Sequence, residues 1–280
     1  MIISYRPIKY LISILTVICL ISCGNQKKEI RLVYQFSTDN IYHYVHDINK
    51  STVFYENDSI TYSDDKTYQI SYTVETLEKI DDSKAKLFYS YTMMEKKQEV
   101  KKDIKPKKWS SEIILASNGK ILDFFPDSNI SNESIEYYRK MFEQTSPMYP
   151  DGLISEGYEW NNSCKVLIDD GITDATTTYK LKSIVREAGY DCAVIEYKGN
   201  MVIPLGESCS GDTSVAISGV DRIEVEGATY FAYTRGITIR EEEKSTMIRE
   251  GTQLKDGKTT SFRIEEKRTT LTRVVDIKTR

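Results

Sequence analysis

Tyr68-Gln69-Ile70-Ser71-Tyr72-Thr73-Val74-Glu75 alternates without a break between apolar and polar side chains. Successive side chains of a strand point to opposite faces, so this period of two reads as a strand with one buried and one wet face. Leu87, Tyr89, Tyr91 and Met93 repeat the pattern, and Asp81-Asp82-Ser83 between the two runs reads as the turn of a hairpin. Upstream, 30–36 and 41–55 are expected strands. Downstream, 113–116 and 121–125 flank Ser117-Asn118-Gly119-Lys120. Asn-Gly between apolar runs predicts a tight hairpin in which both central residues take positive φ.

The texture then changes. Ile135, Tyr138 and Phe142 fall at helical spacing, Ser131 or Asn132 caps the first turn, and Pro147 and Pro150 forbid continuation, which predicts one helix over 132–144. Strands resume at 158–168 and turn at Asp169-Asp170-Gly171. Thr177, Tyr179, Leu181 and Val185 form the next apolar face, and Ala188-Gly189 turns into 192–197. Ile223 and Val225 precede an expected turn at Gly227, and Phe231, Tyr233, Ile237 and Ile239 are placed on one face. Lys255-Asp256-Gly257-Lys258 closes a last hairpin onto 259–275. Strands this long suit a strongly twisted, curved sheet. The expected fold is mainly β: a large curved antiparallel sheet, an open or half β-barrel, with one principal helix packed on its concave face.

The N-terminus has a different logic. Arg6 and Lys9 precede an almost continuously apolar run at 10–21, and Leu20-Ile21-Ser22-Cys23 closes it. About a dozen residues at 1.5 Å rise fall short of a ~30 Å hydrocarbon core, so the run reads as a signal peptide rather than a spanning helix. Its end resembles the bacterial lipobox, whose cysteine is acylated on sulfur and becomes the first residue of the mature chain. That makes Cys23 the expected lipid-attachment site and divides the chain into a signal peptide at 1–22, a short tether at 23–29 and a single β-rich domain at 30–280. Two or more acyl chains hold a protein stably on a membrane, where one does not. By likeness to such lipoproteins, Gly24 in place of Asp implies the outer membrane. Lys27 and Lys28 in place of an acidic run imply its periplasmic face.

The whole chain carries −4, and the leader holds only Arg6 and Lys9, so the mature chain stands at −6. A mildly acidic chain lacks the basic stripe that nucleic-acid binding requires, so no nucleic-acid partner is expected. Twenty tyrosines against six prolines point to strands and away from disorder. Beyond Cys19 and Cys23, the cysteines are Cys164, Cys192 and Cys209. An oxidising envelope permits one disulfide among three pairings, with Cys192–Cys209 favoured because Cys209 sits in a Gly/Ser-rich loop that can fold back.

No metal, cofactor or catalytic residue is expected. His43 and His46, at i, i+3 on a strand, point to opposite faces and cannot share a metal. Gly206-Glu207-Ser208-Cys209-Ser210-Gly211 lacks the second glycine of a nucleophile elbow. Asp169, Asp170 and Asp174 lack the twelfth-position Glu of a calcium loop. The lysine-rich stretch 96–108 reads as a solvated tip, and Trp109 and Trp160 as core. A carboxylate pair such as Glu196 and Asp221 is the sole opening for enzymatic chemistry.

The lipobox, the long tyrosine-rich strands, the Asn118-Gly119 hairpin, the helix after it, Pro147-x-x-Pro150 and Gly157-Tyr158-Glu159-Trp160 together resemble uncharacterised lipoproteins of the Bacteroidetes type. In architecture these are similar to the LolA/LppX-like half-barrel. The resemblance implies a non-enzymatic, membrane-anchored protein whose concave face holds a hydrophobic or lipid ligand. The alternative is a structural or protein-interaction lipoprotein with a filled core and an unidentified protein partner.

Overall fold

The computed structural model describes residues 28–96, 107–126, 139, 147–168, 171–205, 215–255 and 257–280. Among them the elements are β1 (Ile30–Arg31), β2 (Asn40–Glu56), β3 (Ser59–Asp81), β4 (Lys84–Lys96), β5 (Lys107–Ala116), β6 (Ile121–Pro126), β7 (Leu153–Ile154), β8 (Glu159–Ile168), β9 (Gly171–Glu187), β10 (Tyr190–Leu205), β11 (Val215–Ala232), β12 (Ile237–Lys255) and β13 (Lys258–Thr279). Eleven form one antiparallel sheet in the order β6-β5-β4-β3-β2-β13-β12-β11-β10-β9-β8. The chain starts at the centre, meanders out to the β6 edge, reappears at the β8 edge and meanders back. β13 then joins β2 from Asn40↔Thr279 to Glu56↔Phe262. The sheet does not close, because β6 and β8 are not paired.

The two faces follow the alternation in the sequence. One face carries Tyr44, Tyr72, Tyr91 and Leu87 on one arm and Tyr179, Leu181, Ile195 and Phe231 on the other. The opposite face carries cross-strand ion pairs such as Lys182–Glu196, Lys198–Glu226 and Arg222–Glu250. Exposed pairs like these add little to stability because water and salt screen them. They keep one face wet, so a one-residue slip in register would bury charge.

Two turns differ from expectation. The β5–β6 hairpin exists, but of its central residues only Gly119 has positive φ (+90°). Asn118 instead accepts the Lys120 N–H on its side-chain oxygen at 3.2 Å. A two-residue turn with positive φ at both centres occurs at Asn57-Asp58, between β2 and β3. Gly227 is not a turn: β11 runs straight through it, and the β11–β12 turn lies at 233–236. Glycine is needed at 227 because the Tyr197 ring lies where a Cβ would project.

No helical element occurs among the described residues. The helix expected at 132–144 lies, Arg139 apart, outside them. The described cover of the apolar face is therefore corrected from helix to extended chain. β1 pairs only with β7, and beyond it 32–36 crosses the sheet as a strap. The strand expected over 30–36 ends at Arg31 because the strap's described backbone bonds go to hairpin turns: Tyr34 N–H to the Ser117 carbonyl at 2.7 Å and Gln35 N–H to the Gly236 carbonyl at 3.4 Å. Tyr34 packs against both core clusters, the Phe231–Leu181–Ile195 group and the Leu87–Ile113–Phe124 group, and so ties the two arms together.

Gly236 has φ +64°, and a Cβ there would run into the backbone of Gln35 and Val33. Gly236→Ala is expected to combine left-handed strain with displacement of the strap and cost about 2–3 kcal/mol. The urea midpoint measures this; an unchanged midpoint would show that the strap does not depend on this contact.

Candidate functional site

Strap, turn and sheet line a half-open cavity of about 750 Å³. Its floor is the apolar face of β2–β5, β12 and β13, and its wall is formed by Tyr34, Phe36 and Pro147. Register builds the floor. Tyr44, Tyr72, Tyr91 and Trp109 are direct cross-strand partners on β2, β3, β4 and β5. Their rings stack in series, with centroids 4.9, 5.5 and 5.2 Å apart and planes 9°, 28° and 7° from parallel. Such pairs stabilise a sheet by roughly 0.2–1 kcal/mol each. Burial raises the pKa of the Tyr34, Tyr44, Tyr72, Tyr89 and Tyr91 phenols well above ordinary tyrosine, so these walls stay uncharged at neutral pH.

Beside neutral polar residues such as Gln35, Ser110, Ser111 and Thr238, the lining holds an imidazole, a guanidinium and a carboxyl: His46, Arg268 and Glu241. His46 bonds through Nδ1 to the Thr272 hydroxyl at 2.7 Å. Burial, reinforced by Arg268, lowers its pKa to about 4, so the imidazole is neutral. Arg268 donates from Nε to the Thr270 hydroxyl at 3.2 Å. Glu241 accepts from the Tyr197 phenol at 3.1 Å and from the Thr229 hydroxyl at 3.4 Å. The same phenol reaches Glu243 at 3.2 Å. One phenolic proton cannot serve two ionised carboxylates fully, and burial, with Glu243 adding repulsion, pushes the Glu241 carboxyl up to about 7. Gly227 makes this possible: it lies between Tyr197 and Glu243 in the register and lets the ring lie flat across β11.

The residues singled out from sequence separate clearly. His46 lines the cavity, and His43, three residues earlier on β2, belongs to the other face. Trp109 lines the cavity at 41% exposure, against its expected role as core. Trp160 is core: it stacks on Tyr179 at 5.4 Å and donates to the Met148 carbonyl at 2.9 Å. Glu196 and Asp221 do not converge, since the register puts them on opposite faces. Glu196 pairs with Lys182 at 2.5 Å, and buried Asp221 is held by Arg249 through two bonds of 2.7 and 2.6 Å. Cys192 is a fully buried free thiol whose pKa burial pushes up to about 11, which makes it unreactive. Cys23, Cys209, the side chain of Cys164, the 206–211 loop, Asp169 and Asp170, and 97–106 of the lysine-rich stretch lie outside the described residues.

Sequence reading missed the aromatic ladder, although a signal existed. Tyr72 and Tyr91 lie at similar distances on either side of the 82–83 turn, and two bulges in β3 make up the difference. Comparison of the chain with protein-family models and with curated proteins found no match.

Proposed function

We propose that this protein binds a hydrophobic ligand in the aromatic cavity without catalysing a reaction. We further propose that acyl chains on Cys23 hold it at the periplasmic face of the outer membrane. The observation that supports ligand binding is the cavity itself. Its volume of about 750 Å³ falls within the roughly 300–1,000 Å³ of small-molecule sites, and its walls are largely aromatic with a few polar and charged groups. The anchor rests on the lipobox-like Leu20-Ile21-Ser22-Cys23.

A second reading, an envelope protein that acts by protein contact, is favoured by Ile60 and Tyr62 beyond the 57–58 turn. They are 64% and 54% exposed at the start of β3, where it pairs with β2 alone.

Cys23→Ser separates these claims. The variant is expected to lose acyl labelling and membrane attachment, and native mass spectrometry is expected to show a mass that organic solvent extracts. In the same background, Trp109→Ala should weaken binding of a naphthylamine fluorophore about tenfold. Unchanged membrane attachment would exclude the anchor. An empty protein that does not bind the fluorophore would favour the contact reading.

A further inference from the structure

We infer that the ligand is an amphiphile with an anionic head, a carboxylate or phosphate, held by Arg268 at the outer end of the cavity. This rests on the reading of the cavity as a ligand site and names the chemistry that would fill it. Arg268 lines the cavity, yet among the described residues it has no ion-pair partner; its recorded side-chain bond is to the neutral Thr270 hydroxyl. A cation beside an aromatic cavity without a counter-ion is a receptor for an anion, because charge-assisted bonds to guanidinium are strong where solvent is partly excluded.

The register supplies a second, independent observation. Arg268 is the direct cross-strand partner of Lys50, and Lys50 of Lys66, so three cations stand in a row across β13, β2 and β3 on the cavity's face. Like charges directly opposite each other destabilise a sheet. Two of the three are neutralised locally, Lys66 by Asp64 at 2.9 Å and Lys50 by Glu266. Arg268 has no such partner among the described residues, so of the row it alone presents unpaired positive charge to the mouth.

The opposite end sets the polarity. Glu241 pairs in register with Thr272, four residues along β13 from Arg268. At about 3.3 Å per residue that separates the two groups by roughly 13 Å. A carboxyl at the strap end and a guanidinium at the outer end orient an anionic amphiphile in one sense: tail between the tyrosines and the strap, head at Arg268.

The test uses the Cys23→Ser protein and isothermal titration with palmitate, 1-palmitoyl lysophosphatidic acid and hexadecanol. One or both anions are expected to bind about tenfold or more tightly than the alcohol, and whichever is tighter identifies the head as carboxylate or phosphate. Arg268→Gln is expected to erase that preference while leaving hexadecanol within about twofold, and Arg268→Lys to retain most of it. Raising salt should narrow the preference in the parent protein. Equal binding of anions and alcohol, or a preference that survives Arg268→Gln, would overturn the anionic head and leave the apolar-ligand reading intact. Failure of all three to bind would overturn both.

Discussion

Phe231→Ala is expected to cost about 3–5 kcal/mol of folding free energy, the range for deleting a fully buried aromatic ring. Phe231 is completely buried, meets Tyr34 edge-on at 5.4 Å and 76°, and lies 4.8 Å from the Tyr149 ring. Tyr34 and Tyr149 in turn stack at 5.4 Å. This triad joins the sheet to the strap and to the segment before β7, and those segments carry no long ladder of their own. Removing the ring leaves a void beneath the residue that ties the two arms together, so the cavity should lose its wall as well. Urea unfolding followed by circular dichroism measures the first effect and fluorophore titration the second. A loss below about 1 kcal/mol would mean the strap is held elsewhere. Phe231→Leu, which fills most of the void, should cost less than half as much.

Glu241→Gln should alter the pH dependence of stability more than any other single substitution in the cavity. The folded carboxyl titrates near 7 and an ordinary glutamate near 4.5. Between those values the folded state holds a proton that the unfolded chain has released. Stability is therefore fully present below about 4.5 and is lost as pH rises through 7, by on the order of 3 kcal/mol. Glutamine does not titrate, and its amide carbonyl still accepts from Tyr197 and Thr229. The variant should match the parent at pH 4 and exceed it by about 3 kcal/mol at pH 8. His46 acts in the opposite sense: its lowered pKa of about 4 costs stability as pH falls from 6.5. Because His46 is common to both proteins, the difference between their curves isolates Glu241. Parallel curves from pH 4 to pH 8 would show that Glu241 is solvated and ionised throughout.

Local alternation was enough to place most strands. Tyr68 to Glu75 with Leu87 to Met93, the Asp81-Asp82-Ser83 turn and the final hairpin all stand where the period of two put them. Glycine misled the reading at Gly227, for a physical reason. A glycine in sequence signals either positive φ or close approach, and only the neighbours decide which. At Gly227 the neighbour is the Tyr197 ring, and the residue sits in mid-strand; at Gly236 it is the strap, and the residue sits in a turn. Tyrosine spacing alone did not distinguish a stacked cavity floor from ordinary core either, because a ring's partner across the sheet depends on bulges that displace register by one residue.

The strand-rich class, the two-faced alternation and the antiparallel hairpins are legible in the residues alone, because they follow from contacts between residues close along the chain. What covers the apolar face and where the polar groups meet depend on long-range pairing. Pairing β2 with β13 brings Arg268 beside Lys50 and Thr272 beside His46 across more than two hundred residues of chain. Laying 32–36 across the sheet makes Tyr34 a cavity wall instead of an edge-strand residue. No local pattern encodes such contacts, since each depends on which strands the whole chain brings side by side.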